Sequence, residues 1–520
     1  MATRLTPFSR LLIVLIILAI IIFGGRYLLQ KTGFLDSMKS SDSNNSNENN
    51  SIPSEGKKLS GDDVIHVQLF TFGNAVPGIY FNNGLEPNDQ SRFYKDYGLK
   101  VKFHIIDDFD ASRQAFRADE VNLFNNETSA MATEMEGLQS FDPQVVMQLD
   151  WSRGADAVVA KRTIKSINDL KGKRVAVTPS TPSQTLLLFM LDAAGLKPSD
   201  IDMVDVQSAQ DAETAFKSGK VDAAVVWDPG PPLAAVPGAH VLESTTTASN
   251  IISDVFMGKR AWVNANRDKV QKFYDGWMKA VGEINSDPTL KTKAVAVAAA
   301  NLNLSNDEMQ GMLDGLRLTN NGDNKAFFGL DKDYKGMTGE QLYTKMGDMY
   351  QSLGLAKATR PNWRSLSYIG AVNGSNLSGP AQQGEGSVAF SPASQAEKSA
   401  GARASKAISI NFPTGVYSLD ENAKTIIDLQ FADIAKAFAT SRVRIEGNTD
   451  NVGNDLSNIE LSRKRAESVA KYLESTYSID PNRFVIVGNG KKKPVPGCES
   501  NANEACKAKN RRTDFQLIGE

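Results

Sequence analysis

Histidine and cysteine are scarce in this 520-residue chain. Its three histidines, His66, His104 and His240, are scattered, so a His-rich metal site or histidine-based catalysis has little raw material. A single histidine beside an apolar strand, as at His66 or His104, reads as structural. Cysteine occurs only at Cys498 and Cys506. No phosphate loop with its lysine and no Ser-His-Asp set is present. No metal, cofactor or catalytic residue is therefore expected. Neither sign of charge is in excess. The 58 Lys and Arg residues face 60 Asp and Glu, a formal net charge of -2, which argues against nucleic acid as a partner. No tandem repeat is visible.

Length alone suggests about three domains, each large enough to bury a core. Leu11 to Phe23 is an unbroken apolar run preceded by Arg4 and Arg10. Leu11 to Leu29 reaches about 20 residues if Arg26 snorkels, enough for one membrane span. No small-x-small cleavage site follows closely, and no cysteine is there for a lipid anchor. Residues 1–35 are therefore expected as an uncleaved transmembrane signal anchor in the inner membrane rather than a cleaved signal peptide. The basic residues before it keep the N-terminus cytoplasmic and place the bulk of the chain in the periplasm. Residues 36–63, dense in Ser and Asn, are expected as a flexible linker.

From Val64 the texture alternates. Val64–Thr71, Val101–Ile106, Arg174–Thr178 and Ala223–Trp227 read as strands, with helical stretches such as Gln184–Ala194 and Ala209–Lys217 between them. This implies an α/β architecture with largely parallel sheets. The segment Ser166–Val177 (SINDLKGKRVAV) is followed by Ala194-Gly195-Leu196, Asp200-Ile201, Ser218–Ala224 and Trp227-Asp228-Pro229. Together these resemble the periplasmic solute-binding proteins of the nitrate/sulfonate/taurine branch, over about 64–365. The resemblance implies two α/β lobes crossed twice by the chain, with the second lobe at about 160–250. It also implies a small-molecule solute and an ABC-type permease as partner.

Ligands of open α/β sheets sit at the carboxyl ends of strands. Thr178–Gln184 ends a strand, opens a helix and carries several hydroxyls, and the free N–H groups of a helix start favour an anion. Ser180, Thr181, Ser183 and Gln184 are thus candidate contacts for an anionic solute. Trp227 is a candidate cleft wall, and Thr128, with Asn125, Asn126 and Ser129, a further polar contact. The alternatives stand beside these readings: Ser and Thr serve equally as plain N-caps, and a strand-end Trp equally as core. Pro-Ser-Thr-Pro (Pro179–Pro182) replaces the small-residue turn usual in the family.

Residues 366–404, rich in Gly, Ser, Ala, Gln and Asn, are expected as a second linker. Beyond it, strands are expected at Ile408–Phe412, Arg442–Gly447, Phe484–Gly488 and Arg512–Ile518, and helices at Asp420–Thr440 and Leu456–Tyr472. This is an α+β domain, one sheet with helices on one face. The turn Gly447-Asn448-Thr449-Asp450, the run Asn458–Ala466 (NIELSRKRA) and the late Asn510-Arg511-Arg512 resemble, in order and spacing, the OmpA-like peptidoglycan-binding domain over about 405–520. Asn448 stands where that family usually has histidine. The resemblance implies peptidoglycan as partner. Asp450 would take the amine and Arg465 the carboxylate of the stem-peptide diamino acid, with Asn458 lining the pocket and Thr449 and Arg512 beside them. A carboxylate and a bidentate guanidinium suit such a zwitterion. The bland alternative makes Asp450 a turn cap and Arg465 a solvated face. Cys498 and Cys506 flank a polar loop, and in an exported chain such neighbours are expected to form a disulfide.

The whole reads as a membrane-tethered envelope protein that binds peptidoglycan and a small solute. One alternative is a structural protein whose two lobes dock a protein partner. Another is an enzyme on the binding-protein fold. Relatives that make a thiamine pyrimidine use histidine and a cysteine-rich motif, and residues 64–365 contain no cysteine. Flagellar stator B subunits also join one span to an OmpA-like domain, but they need an acid in the membrane, and Leu11–Leu29 has none.

Overall fold

Two five-stranded sheets and one four-stranded sheet organise the chain. The computed structural model describes residue 59 and residues 63–518, apart from 228–229, 387, 411 and 413–414. The expected anchor at Leu11–Leu29 and nearly all of the 36–63 linker lie outside the described residues. Among the described residues, no helix is long and apolar enough to cross a membrane.

The first sheet has the order β2-β1-β3-β11-β4, from Val101–Ile105, Ile65–Leu69, Leu123–Glu127, Asp254–Lys259 and Pro143–Gln148. The second has the order β10-β6-β9-β7-β8, from His240–Ser244, Ala157–Ala160, Ala223–Val226, Arg174–Val177 and Asp202–Asp205. Strands β1, β2 and β3 pair in parallel, as do β7, β8 and β9, while β11 and β6 run antiparallel to their neighbours. Strands such as β9 (Ala-Ala-Val-Val) are buried throughout, as expected where helices cover both faces of a sheet. The first lobe closes on an aromatic core of Phe81, Phe93, Phe256, Phe273 and Trp277. Gly78 admits that core, since a Cβ there would overlap the Trp277 ring.

The chain passes between the lobes twice, at β4–β6 and β10–β11, and the two crossings pair with each other. Leu149 N donates to Asp254 O at 2.8 Å, Ser152 N to Ile252 O at 3.0 Å, and Thr245 N to Asp156 O at 2.9 Å. Between them lies β5 (Asp150–Ser152), paired with β12 (Leu316–Leu318).

Parts of the stretch expected as a second linker pack against the first lobe. Ala371 and Val372 are buried, and the Gln382 carboxamide donates to Met278 O at 2.7 Å and accepts from Asn321 N at 3.1 Å. Glu385 pairs with Arg153 at 2.6 Å and lies 3.4 Å from Arg317. A few of its polar side chains thus satisfy the backbone of the first lobe, while residues 391–400 are mostly exposed.

The C-terminal sheet has the order β13-β16-β14-β15, from Ala402–Ile408, Thr513–Ile518, Arg442–Asn448 and Phe484–Gly490. The first strand begins at Ala402, earlier than the apolar run at Ile408–Phe412 suggested. Helix Asp455–Tyr477 covers β14 and β15. It approaches closely because two strand positions lack side chains. A Cβ at Gly447 would overlap the Ser462 carbonyl, and one at Gly488 would lie 2.5 Å from the Ile459 carbonyl.

Candidate functional site

The apolar residues Val443 and Ile445 bury β14 and bring Thr449 and Asp450 out at its end, while Asn454 caps helix Asp455–Tyr477 by accepting from Ser457 N at 2.8 Å. Asp450 Oδ1 accepts from Val452 N at 3.0 Å, which is the turn-capping role. Its Oδ2 accepts from Arg511 Nη1 at 2.7 Å. Arg465, nearly three turns into the helix, is buried. Its Nε donates to Val416 O at 3.1 Å, and its guanidinium lies 4.8 Å from the Phe412 ring centroid. It is therefore no solvated face. Burial lowers its pKa and the Arg511 guanidinium lowers it further, while the Asp450 carboxylate opposes part of that fall. Asn458 is buried and ties the loop by donating to Val452 O at 3.0 Å. Thr449 is buried, its N–H on Gly490 O at 2.9 Å and its hydroxyl on the Asp450 carbonyl at 2.9 Å.

Arg512 is turned away from Asp450. It donates to Asp514 at 2.9 Å and to Lys493 O at 3.1 Å. The guanidinium that meets Asp450 belongs to the preceding residue, Arg511, which also holds Glu504 at 2.5 Å. The Asn510-Arg511-Arg512 run carried that signal. Adjacent residues entering a strand point to opposite sides, and only one of the two arginines can face the turn. Asn448, at the position usually held by histidine, is buried in a polar network, bonded to Asp514 at 2.9 Å and Asn489 at 3.1 Å. Cys498 and Cys506 are joined by a disulfide. Asn510 bonds the enclosed loop at Cys498 O and Asn501.

In the two-lobed part, Ser180, Thr181, Ser183 and Gln184 gather at the start of helix Pro182–Ala193. They bond mainly to each other and to their surroundings. Gln184 Oε1 accepts from Ser180 N at 2.7 Å, Thr181 donates to Thr178 O at 2.8 Å, and Ser183 Oγ accepts from Trp227 Nε1 at 3.1 Å. Ser180 has a left-handed backbone, φ 58°. Trp227 stands partly exposed, edge-on to Phe109 of the first lobe at 6.5 Å. The first lobe also reaches this helix through Ser129, 2.8 Å from Thr185 Oγ1, and through Tyr350, whose hydroxyl lies 2.9 Å from the same atom. Tyr350 gave no signal in the sequence. Thr128, next to Ser129, is buried, and its hydroxyl has no protein partner among the described residues.

Three buried acids, Glu127, Asp150 and Asp156, line the crossing together with the half-buried Asp254. Burial pushes Glu127 up to about 7 against donors at Ser129, Ala130 and Ser253, and Asp156 up to about 6 against Ser152. Burial also raises Asp150 and Asp254; the Glu127 and Asp156 carboxyls raise both further, and Asp150 adds to the rise at Asp254. The anion-favouring element here is the helix start; the crossing itself offers acceptors. A cavity of about 610 Å³ lies elsewhere, lined by residues such as Trp151, Phe327, Phe390, Lys436 and Tyr477, and does not touch the helix start.

Fold and site together define a two-lobed solute-binding fold followed by a sheet domain with an acid–guanidinium rim. Comparison with known proteins agrees. Residues 89–290 match the family model described as NMT1/THI5 like, and residues 411–511 match the OmpA family. The chain thus joins an NMT1/THI5-like solute-binding domain to a C-terminal OmpA domain. It is 36% identical over 102 residues to the outer membrane protein A of Bordetella avium, covering 20% of this chain and 50% of that protein. It is 34% identical over 114 residues to a putative aliphatic sulfonates-binding protein of Escherichia coli (strain K12), covering 22% of this chain and 35% of that protein. The chain therefore spans half or less of these curated relatives. Among solved structures, the periplasmic aliphatic sulphonate binding protein of Escherichia coli aligns with TM-score 0.47 and 18% identity, over 60% of this chain and 100% of that one.

Proposed function

We propose that this chain is a cell-envelope binding protein, without catalysis of its own, that holds peptidoglycan through its OmpA domain and a small solute between its lobes. The carrying observation is the guanidinium of Arg465, buried within the electrostatic reach of Asp450, with Asn458 tying the turn that follows Asp450. A diamino acid would place its ammonium on Asp450 and its carboxylate on Arg465. The Asp450–Arg511 contact means that the incoming ammonium joins or displaces a resident guanidinium. The test is co-sedimentation of the full chain with purified peptidoglycan. Asp450→Ala and Arg465→Lys should each weaken pelleting about thirtyfold, the low end of the ~2–5 kcal/mol cost of losing one partner in a desolvated charged contact. Unchanged pelleting by either folded variant would remove that residue from the site.

For the solute, relatives named for aliphatic sulfonates and taurine support a small anion at the helix start. The carboxyls at the crossing favour an anion that also carries an amine. Taurine should therefore raise the melting temperature of the full chain more than methanesulfonate does. No shift with either, or with nitrate, phosphonates and carboxylates, would favour a lobe pair that docks a protein. Tethering at the inner membrane by Leu11–Leu29, with the bulk in the periplasm and an ABC-type permease as partner, completes the proposal.

A further inference from the structure

Helix Pro182–Ala193 is gripped at both ends. At its first turn stand Ser129 and Tyr350 of the first lobe, on Thr185. At its last turn Asp192 accepts from Lys345 at 2.9 Å and from Lys406 at 2.6 Å. Lys345 and Tyr350 lie on one first-lobe helix, Gly339–Ser352, and Lys406 lies on β13 of the OmpA domain. One carboxylate therefore ties together both lobes and the wall-binding domain. An aspartate in a last turn faces the negative end of the helix dipole. Burial would raise it further, yet the two lysines hold its carboxyl below the ordinary range.

Around this point the OmpA domain rests on the second lobe and on the crossing. The Asn168 carboxamide pairs with β13 like another strand, accepting from Ser405 N at 2.8 Å and donating to Ser405 O at 3.0 Å, while also bonding Ala194 O. Arg403 approaches the buried Glu243 at 3.4 Å, Asn250 N donates to Ala437 O at 3.1 Å, and Thr440 donates to Thr246 O at 3.0 Å. Residues 246–250 belong to the second crossing, the segment that must turn when the lobes separate. Strand β14 begins at Arg442, close in sequence to Thr440 of this contact, and ends at Asn448, next to the Asp450 turn.

We propose that helix Pro182–Ala193 is a relay: separation of the lobes at its first turn releases the OmpA domain at its last turn. The solute state of the cleft then sets whether the wall-binding domain is clasped against the lobes or swings free of them. This rests on the solute-binding reading above. A 12-residue helix is a rod of about 18 Å, stiff enough to carry a displacement from one end to the other.

The test is hydrogen exchange of the full chain, followed by mass spectrometry and without added solute. Asp192→Asn and Lys406→Met should each speed exchange at 402–408 by about tenfold or more, the effect of losing one charge-assisted hydrogen bond. Exchange at 442–448, in the middle of the same sheet, should stay slow. Tyr350→Phe, at the far end of the helix, should also speed exchange at 402–408. No change at 402–408 in either Asp192→Asn or Lys406→Met overturns the clasp. A change in those two but none in Tyr350→Phe overturns the relay. Because no solute is added, failure of the taurine experiment would leave this result standing on its own.

Discussion

Asp156 is a buried acid whose effect on stability can be tested by one substitution. It sits at the first crossing, and the Ser152 hydroxyl donates to its Oδ2 at 2.7 Å. Burial moves its carboxyl from 3.8 up to about 6. A raised carboxyl binds its proton more tightly in the folded chain than in the unfolded one. Below pH 3.8 both states are protonated and the group costs nothing. As pH rises toward 6 the unfolded chain ionises first and stability falls; above 6 the full loss is in place. The loss is ~3 kcal/mol at pH 8 and about half that at pH 5. Asp156→Asn keeps the size and an acceptor for Ser152 but cannot ionise. It should raise the melting temperature of the lobes by roughly 5 °C at pH 8, and by about half as much at pH 5. Glu127, Asp150 and Asp254 are raised in the same direction, so the wild-type chain should itself melt lower at pH 8 than at pH 5. Thermal unfolding across that range is the assay. An equal change at both pH values, or a loss at pH 8, would refute the account.

Gly447→Ala should destabilise the OmpA domain by ~2–3 kcal/mol or more, because the new methyl meets the Ser462 carbonyl; circular dichroism melting checks it. Reduction of Cys498–Cys506 should cost that domain ~2–3 kcal/mol, read as a lower transition in reductant. Arg511→Ala should keep or strengthen pelleting on peptidoglycan, since it frees Asp450 Oδ2. Abolished pelleting would instead make Arg511 part of the binding set.

The order of elements was legible wherever apolar residues recur with a clear period. Arg174–Val177, Ala223–Val226 and helix Pro182–Ala193 each fall within a residue or two of the bounds that pattern suggests. Strand β13 was harder. Its sequence, ARASKAI, looks polar because the face that buries Ala404 and Ile408 also carries Lys406, which reaches Asp192 on another domain. The helix expected at Asp420–Thr440 is interrupted by a wider turn at Asp428–Ala432, where Asp428 holds the hydroxyls of Tyr472 and Tyr477, a contact distant in sequence. The rim of Asp450 and Arg465 was legible because a turn, a helix cap and a guanidinium follow one another in a short span. The choice between Arg511 and Arg512 depended on strand register, which adjacent identical residues hide. The grip on Thr185 by Tyr350, over a hundred residues away, left no local trace.

Strand β13 lies at an edge of its sheet. Edge strands present unpaired backbone groups to any chain that can add a strand, and proteins commonly blunt them. Here a single asparagine from another domain, Asn168, occupies both the donor and the acceptor of Ser405. Each release of the domain would therefore uncover a short template for pairing between copies, and crowding many such chains at one wall would turn a hinge into a seed for self-association.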